Sequence, residues 1–179
     1  MSAAGRATVT AASPADAALV HDLTQRAWHG TVAADSSAYR ETVADVAALL
    51  ERGGAFVLRL DDTPVGSVRW VPVPHAVPSW EIKRMGLLHA VRGRGLGRPL
   101  AGAVEAAARA AGIGRLQLGV RSDQPRLLGF WKDLGFEPDA TVALSSHNPL
   151  TPPPTTLSRP LAPPAPSPPS PSSPPDRTR

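Results

Sequence analysis

The sequence contains no cysteine. This absence excludes disulfide bonds, thiolate metal sites and a cysteine nucleophile. The chain also lacks an apolar run near the roughly 20 residues that a membrane-spanning helix needs. Its N-terminus does not have the basic segment followed by an apolar segment that marks a secretory signal peptide. We therefore expect a cytoplasmic protein that has no membrane partner.

Basic residues are in excess, but they are not clustered. The chain has 19 Lys and Arg against 15 Asp and Glu, which gives a formal net charge of +4. A nucleic-acid-binding protein gathers such charge on one patch or stripe. Here arginine is spread along the chain, and no basic run is interleaved with aromatic residues. We therefore expect no nucleic-acid partner.

Composition divides the chain into two parts. With 179 residues, 42% of them hydrophobic, it is long enough to bury one sizeable core. Residues 162–179 are almost entirely Pro, Ala and Ser. Such a segment has too little apolar surface to offset the entropy cost of ordering it. We predict a single folded domain over residues 1–161 and a disordered tail over residues 162–179 that acts as a spacer.

A glycine-rich stretch stands out in the middle of the chain, Arg92-Gly93-Arg94-Gly95-Leu96-Gly97-Arg98. Glycine lets the backbone reach positive φ and lets a ligand approach the main chain. An apolar stripe at helical period follows the stretch, in the order Leu96, Leu100, Ala103, Val104, Ala107 and Ala111. Because the first N–H groups of a helix lack internal partners and carry partial positive charge, this corner is suited to a phosphate or pyrophosphate.

Hydrophobic periodicity and turn residues predict the remaining elements. We predict strands over residues 6–11, 55–60, 65–73, 80–88, 115–120, 141–146 and 155–161. We predict helices over residues 13–28, 39–50, 96–111 and 122–134. The predicted order is β-α-α-β-β-β-α-β-α-β-β, a mixed α/β single domain.

Two motifs on these elements resemble the GNAT superfamily of N-acetyltransferases. The first is R-x-x-G-x-G, formed by Arg92, Gly95 and Gly97 at the strand-to-helix corner. The second is the segment Phe130 to Phe136, similar to the family's F-Y-x-x-x-G-F ending. The resemblance implies the GNAT fold, a mixed and mostly antiparallel sheet flanked by helices. It also implies acetyl-CoA as the cofactor and no metal.

The resemblance further implies which residues bind the cofactor. Leu87, Leu88 and His89 would offer main-chain groups to the pantetheine arm, although the family commonly has proline where His89 stands. Gln124 and Trp131 would lie near the thioester end. The pyrophosphate would be surrounded by main-chain N–H groups of the seven loop residues, namely Arg92, Gly93, Arg94, Gly95, Leu96, Gly97 and Arg98.

The reaction that the resemblance implies needs a base, because a protonated amine is not a nucleophile. Glu81 stands where the histone-acetylating branch of the family carries its base glutamate. The alternative for Glu81 is a carboxylate at the strand edge that is either solvated or paired with Lys83 or Arg84. His147 is a second candidate that could face the substrate. Trp131 stands where the family has a tyrosine acid, and an indole N–H cannot supply a proton at neutral pH.

Two functions follow from the resemblance and stay open at this point. The first is transfer of an acetyl group from acetyl-CoA to a primary amine on a small molecule, a peptide N-terminus or a lysine. Without cysteine, direct transfer in a ternary complex is favoured over a covalent enzyme intermediate. The second is a CoA-binding GNAT-like module with little or no catalytic activity. We expect a monomer or a homodimer.

Overall fold

A computed structural model describes residues 5–146 and 148–162. Its strands and helices follow the predicted order β-α-α-β-β-β-α-β-α-β-β, which is confirmed. The strands are β1 (Ala7–Ala12), β2 (Gly54–Leu60), β3 (Thr63–Val73), β4 (Ser79–Leu87), β5 (Arg115–Val120), β6 (Glu137–Pro138) and β7 (Thr155–Pro160). The helices are α1 (Ala17–Trp28), α2 (Val43–Arg52), α3 (Gly97–Ala110) and α4 (Arg126–Asp133).

The seven strands form one sheet in the order β1-β2-β3-β4-β5-β7-β6. Every neighbouring pair is antiparallel except β4 and β5. These two strands run parallel and pair only where Ser79–Glu81 meets Arg115–Gln117. The mixed, mostly antiparallel sheet that the resemblance implies is therefore confirmed, and its one parallel junction is short.

Local sequence signals explain where the helices begin and end. Thr42 caps α2 in a capping box with Asp45, and Gly53 follows its last turn. This cap places the start of α2 four residues later than the apolar pattern predicts, after a short 3-10 turn over Ser37–Arg40. Gly112 and Gly135 have φ of +71° and +82°, the left-handed conformation that ends α3 and α4.

Two hydrophobic cores lie on opposite faces of the sheet. On one face, α3 and α4 bury Leu100, Val104 and Trp131 against the sheet. On the other face, α1 and α2 bury Val20 and Val46, among others. Neighbouring residues of β3 divide between the cores because successive side chains of a strand point to opposite faces. The sheet is therefore covered on both sides.

The prediction of a strand over residues 141–146 is wrong. β7 pairs with β5 on one side, and on the other side with β6, the two-residue strand that follows α4. Polar side chains bond two backbone groups of this segment instead: Gln117 Nε2 donates to the Ala143 carbonyl at 2.8 Å, and the Ser145 N–H donates to Glu81 at 2.6 Å. Because these groups already have partners, the segment forms a loop and not a sheet edge.

The tail predicted over residues 162–179 lies outside the described residues, apart from Ala162. Over the ranges 5–146 and 148–162, no helix combines the length and the apolar character that crossing a bilayer requires.

The chain turns between β6 and β7 around Asp139, and this turn generates a testable prediction. The Asp139 carboxylate accepts hydrogen bonds from Ser158 Oγ at 2.6 Å, Thr141 Oγ1 at 2.6 Å and Arg115 Nη2 at 2.8 Å. These bonds hold the pKa of Asp139 well below its usual range, the bond from Ser158 first. The stability they contribute is present above the ordinary pKa of about 3.9 and is lost as the pH falls below it.

We therefore expect Asp139→Asn to lose less free energy of unfolding than the wild type when the pH falls from about 6 to about 3. Urea unfolding at the two pH values measures this difference. Asp62→Asn is the matched control, because within the described residues no hydrogen bond to the Asp62 side chain is present. Equal losses for the wild type and Asp139→Asn would contradict the prediction.

Candidate functional site

A cleft opens where β4 and β5 separate. After Glu81 and Gln117 the two parallel strands no longer pair. A cavity of about 1310 Å³ lies at this separation, lined by residues 81–87 of β4 and by Leu118, Gly119 and Val120 of β5. Strands that diverge leave main-chain groups without ladder partners. The cleft can therefore take an extended ligand along the edge of β4.

β4 carries a bulge at the floor of this cleft. Arg69 pairs with Lys83, but Ser67 pairs with Gly86, so β4 has one more residue than β3 across this step. Arg84 sits in the bulge at φ +52°. A non-glycine residue at positive φ costs about 1–3 kcal/mol. In a regular strand Lys83 and Arg84 would point to opposite faces, yet both line the same cavity.

The glycine-rich stretch forms the loop between β4 and α3. Gly93 and Gly95 both have φ of +75°, and the space where a side chain would extend from either is open. Within the part of the chain that the structure describes, the N–H groups of residues 93–97 donate no hydrogen bond to the protein. Free N–H donors at the start of a helix are suited to binding an anion.

Arg92 and Arg98 flank these free donors, and the N–H groups of both have acceptors within the loop. The Arg92 N–H donates to the His89 carbonyl at 3.3 Å, and the Arg98 N–H donates to the Gly95 carbonyl at 3.2 Å. The Arg92 guanidinium donates to the carbonyls of Leu87, at 3.0 Å, and Ala27. Burial lowers the pKa of Arg92, with a contribution from nearby Arg126. Arg92 therefore holds the loop against β4 and α1.

The strand residues predicted to contact the cofactor have separate positions. Leu87 ends β4 and lines the cavity. The Leu88 N–H donates to the Val65 carbonyl at 2.8 Å, and the His89 ring contacts the His29 carbonyl at 3.1 Å. Leu88, His89 and Arg94 are not among the residues that line the cavity. The other predicted residues of the loop all line the cavity, namely Arg92, Gly93, Gly95, Leu96, Gly97 and Arg98.

Gln124 and Trp131 also line the cavity. The Gln124 side chain donates to the Thr31 carbonyl and so fastens the loop after α1. Trp131 is 6% exposed and packs edge-on against Phe130 and Phe136, with ring centroids 5.0 and 5.2 Å away. The indole is therefore a wall of the cavity and an anchor of α4.

Glu81 is 3% exposed and lies at the point where β4 and β5 part. Its carboxylate accepts the Ser145 N–H at 2.6 Å and pairs with Lys83 Nζ at 3.4 Å. Lys83 in turn donates to Ser145 Oγ at 2.8 Å and Ser146 Oγ at 2.7 Å. Glu81 is thus both a residue of the cavity wall and an ion-paired carboxylate, while His147 lies outside the described residues.

The structure adds an ionic cluster that the sequence did not predict. Arg69 is fully buried, and its Nη2 donates to Glu41 at 2.8 Å. Arg84 lies 3.9 Å from Glu41, donates to Ser37 Oγ at 3.0 Å and stacks over Trp28. These residues come from four separate elements, so no spacing in the sequence connects them. The one available signal was a pair of adjacent charges, Lys83 and Arg84, inside a predicted strand.

A comparison with protein-family models matches residues 18–136 to the Acetyltransferase (GNAT) family. This match spans more than half of the 179 residues. The chain belongs to the GNAT family. The match includes the bulged strand, the glycine-rich loop and Trp131. A search of curated protein sequences finds no significant match.

Solved structures of other proteins share the fold at low sequence identity. A GNAT-family acetyltransferase from Streptococcus pneumoniae has a TM-score of 0.67 and 17% identity, covering 88% of this chain and 100% of its own. The PaiA N-acetyltransferase from Thermoplasma acidophilum, in complex with coenzyme A, has a TM-score of 0.71 and 14% sequence identity. The match covers 87% of this chain and 99% of that protein. The ribosomal-protein-S18-alanine N-acetyltransferase from Escherichia coli has a TM-score of 0.62 and 16% sequence identity. The match covers 87% of this chain and 94% of that protein.

The conformation of Gly95 generates a prediction about coenzyme A. A β-branched residue at φ +75° is strained by at least about 1 kcal/mol. Relief of that strain rotates the adjoining peptides and turns their N–H groups away from the corner. We expect Gly95→Val to weaken the affinity for coenzyme A at least about tenfold, a difference of about 1.4 kcal/mol. Isothermal titration calorimetry measures the affinity, and thermal unfolding checks that the variant is folded.

Gly102→Val is the matched control, because Gly102 is on α3 with open space around it and ordinary helical backbone. Wild-type affinity in Gly95→Val would contradict the role of the loop. Equal loss in both variants would point to a general effect on the fold.

Proposed function

We propose that this chain transfers an acetyl group from acetyl-CoA to a primary amine, directly and in a ternary complex. The observation that carries the proposal is the row of free N–H groups over residues 93–97 beside the cleft between β4 and β5. Membership of the GNAT family supports the same activity. The monomeric or homodimeric state and the cytoplasmic location stay predictions.

The residues of the cleft fit acetyl-CoA. The unpaired N–H groups at the start of α3 are donors for a pyrophosphate, and Arg98 and Arg126 add positive charge to the wall nearby. A hydrogen bond to a charged group contributes about 1.5–3 kcal/mol. Leu87 and Gly119 bring the two strand edges to the cavity, where an extended arm can lie. When bound, acetyl-CoA supplies an acetyl group activated as a thioester.

Glu81 is the residue that we assign as general base. Its carboxylate is in the cavity wall, next to the point where the two strands part. It accepts, directly or through a water molecule, the proton that an amine must lose before its lone pair can form the new amide bond. Ser145 and Lys83 hold the carboxylate in place at 2.6 and 3.4 Å. Lys83 is thereby a positioning residue for Glu81.

The leaving thiolate has no tyrosine acid in this proposal. Trp131 is buried, and an indole N–H is a donor that does not ionise near neutral pH. The hydroxyl of Tyr39, the only tyrosine of the chain, donates to the Trp28 carbonyl at 2.8 Å. We therefore assign protonation of the thiolate to solvent. The buried Trp131 also supports a second candidate, a CoA-binding module with little or no catalytic activity.

A thiol-release assay separates the two candidates. Because the chain has no cysteine, a thiol reagent detects only the coenzyme A that is released from acetyl-CoA. We expect thiol release that depends on an added primary amine, together with a matching amount of acetylated amine by mass spectrometry. Calorimetric binding of coenzyme A without turnover on any amine would support the second candidate. No binding of coenzyme A to the folded protein would overturn both.

Glu81→Gln tests the assignment of the base. Glutamine keeps an oxygen for the Ser145 N–H but cannot accept a proton. We expect the rate to fall at neutral pH and to recover toward alkaline pH, where more of the amine is already deprotonated. The measurement is the pH profile of kcat/KM for one amine.

Glu51→Gln is the matched control, since Glu51 is exposed on α2 and does not line the cavity. Its profile should equal that of the wild type. If Glu81→Gln also keeps the wild-type profile, Glu81 is not the base.

A further inference from the structure

Part of the cavity carries more positive than negative charge. We call it the α2–β4 region, and it consists of the cavity-lining residues Ser37, Arg40, Glu41, Asp45, Ala48, Leu49, Arg52, Lys83 and Arg84. Together with the adjoining Arg69 and Glu81, it brings five cationic side chains to three carboxylates. Arg40 and Arg52 are exposed to solvent, whereas Arg69, Lys83 and Arg84 are largely buried, and buried charges are costly unless they are paired.

The carboxylates of the region are already engaged. Glu41 pairs with Arg69 at 2.8 Å and lies 3.9 Å from Arg84. Glu81 pairs with Lys83 at 3.4 Å. Asp45 closes the capping box of α2. The protein's own acids therefore do not supply a partner for the remaining positive charge.

Several buried donors of the region also lack acceptors. Within the described residues, no acceptor is present for Nε and Nη1 of Arg69 or for Nε of Arg84. The Arg69 side chain is fully buried and the Arg84 side chain is 16% exposed. A buried donor without an acceptor is unfavourable. Arg84 lines the cavity and Arg69 does not, so a ligand in the cavity can supply an acceptor to Arg84.

The cationic groups repel one another. Burial lowers the pKa of Lys83, and repulsion from Arg84 and Arg69 adds to this, against the attraction of Glu81. Burial likewise lowers the pKa of Arg84, and Arg69 and Arg121 add to it, against Glu41. An anion placed between these groups would relieve both the repulsion and the loss of hydration.

We propose that the α2–β4 region binds an anionic group on the acceptor, so that the acceptor is an amine that carries a carboxylate or a phosphate. Arg84 is the central contact, because its planar guanidinium suits a two-oxygen anion and because the bulge turns it into the cavity. Lys83 and Arg52 add positive charge around it. The inference rests on the proposed acetyl transfer and names its substrate class.

The same charges disfavour polyamines. A polyamine needs a cavity with an excess of carboxylates, and here each of Glu41, Asp45 and Glu81 already has a partner. Bringing a second ammonium group toward Lys83 and Arg84 places like charges together in a region of low dielectric constant. The acceptor is therefore an amino-acid-like or phosphorylated amine and not a polycation.

Matched amines test the proposal on the whole chain. Phenylalanine is compared with phenylalaninamide, O-phosphoethanolamine with ethanolamine, and cadaverine is the polycation. We expect kcat/KM, expressed per free amine, to be at least about tenfold higher for the anionic member of one pair. The pair that shows the difference distinguishes a carboxylate from a phosphate. Equal values in both pairs, or a preference for cadaverine, would overturn the proposal.

Variants of Arg84 identify the residue responsible. We expect Arg84→Gln to reduce the anionic preference about tenfold and Arg84→Lys, which keeps the charge, to retain part of it. Arg26→Gln is the matched control, since Arg26 is exposed on α1 and pairs with Asp22. It should keep the wild-type preference. An unchanged preference in Arg84→Gln would overturn the assignment of Arg84.

A binding measurement keeps the inference distinct from the proposed function. N-acetylphenylalanine and its amide are titrated by calorimetry into the wild type saturated with coenzyme A. Tighter binding of the acid, lost in Arg84→Gln, supports the anion site even if no amine is acetylated. Acetylation of amines with no difference here and none in either pair of kcat/KM values would retain the proposed function and overturn the inference.

Discussion

The separation of β4 from β5 is the constraint on which the site depends. Three residue pairs hold the strands together, and beyond Glu81 they diverge. Main-chain groups that a longer ladder would have used then face a cavity. The bulge at Arg84 reinforces this, because an extra residue in β4 re-aims the side chains that follow. One short parallel junction therefore creates both the space for a ligand and the edge along which it can lie.

Polar burial around this junction explains the loop that replaces a predicted strand. Glu81 and Gln117 are the last paired residues, and both reach toward residues 143–145. Apolar side chains here would have left that segment free to pair with the sheet. Because the two polar side chains take its backbone groups instead, the segment lies over the cavity, and Leu144 lines it. The same interactions that stabilise the loop thus shape the wall of the site.

The cavity combines two kinds of positive charge with different origins. Near the glycine-rich loop, charge comes from main-chain N–H groups at the start of α3 and is local to a few residues. Between α2 and β4, it comes from whole side chains, Lys83 and Arg84 among them, carried by distant segments. The first kind fits a pyrophosphate, which many proteins bind in this way. The second depends on side chains particular to this chain, and the proposed choice of acceptor rests on it.

The sequence by itself determined the features that are local. Positive φ at Gly93 and Gly95, the stop of α3 at Gly112 and the stripe through Leu100 and Val104 each depend on a few neighbouring residues. Only the tertiary structure decided the bulge at Arg84, the edge partner of β7 and the cluster of Arg69, Glu41 and Arg84. Each of these depends on groups that the fold brings together from distant segments. The spacing of residues along the chain does not predict such contacts.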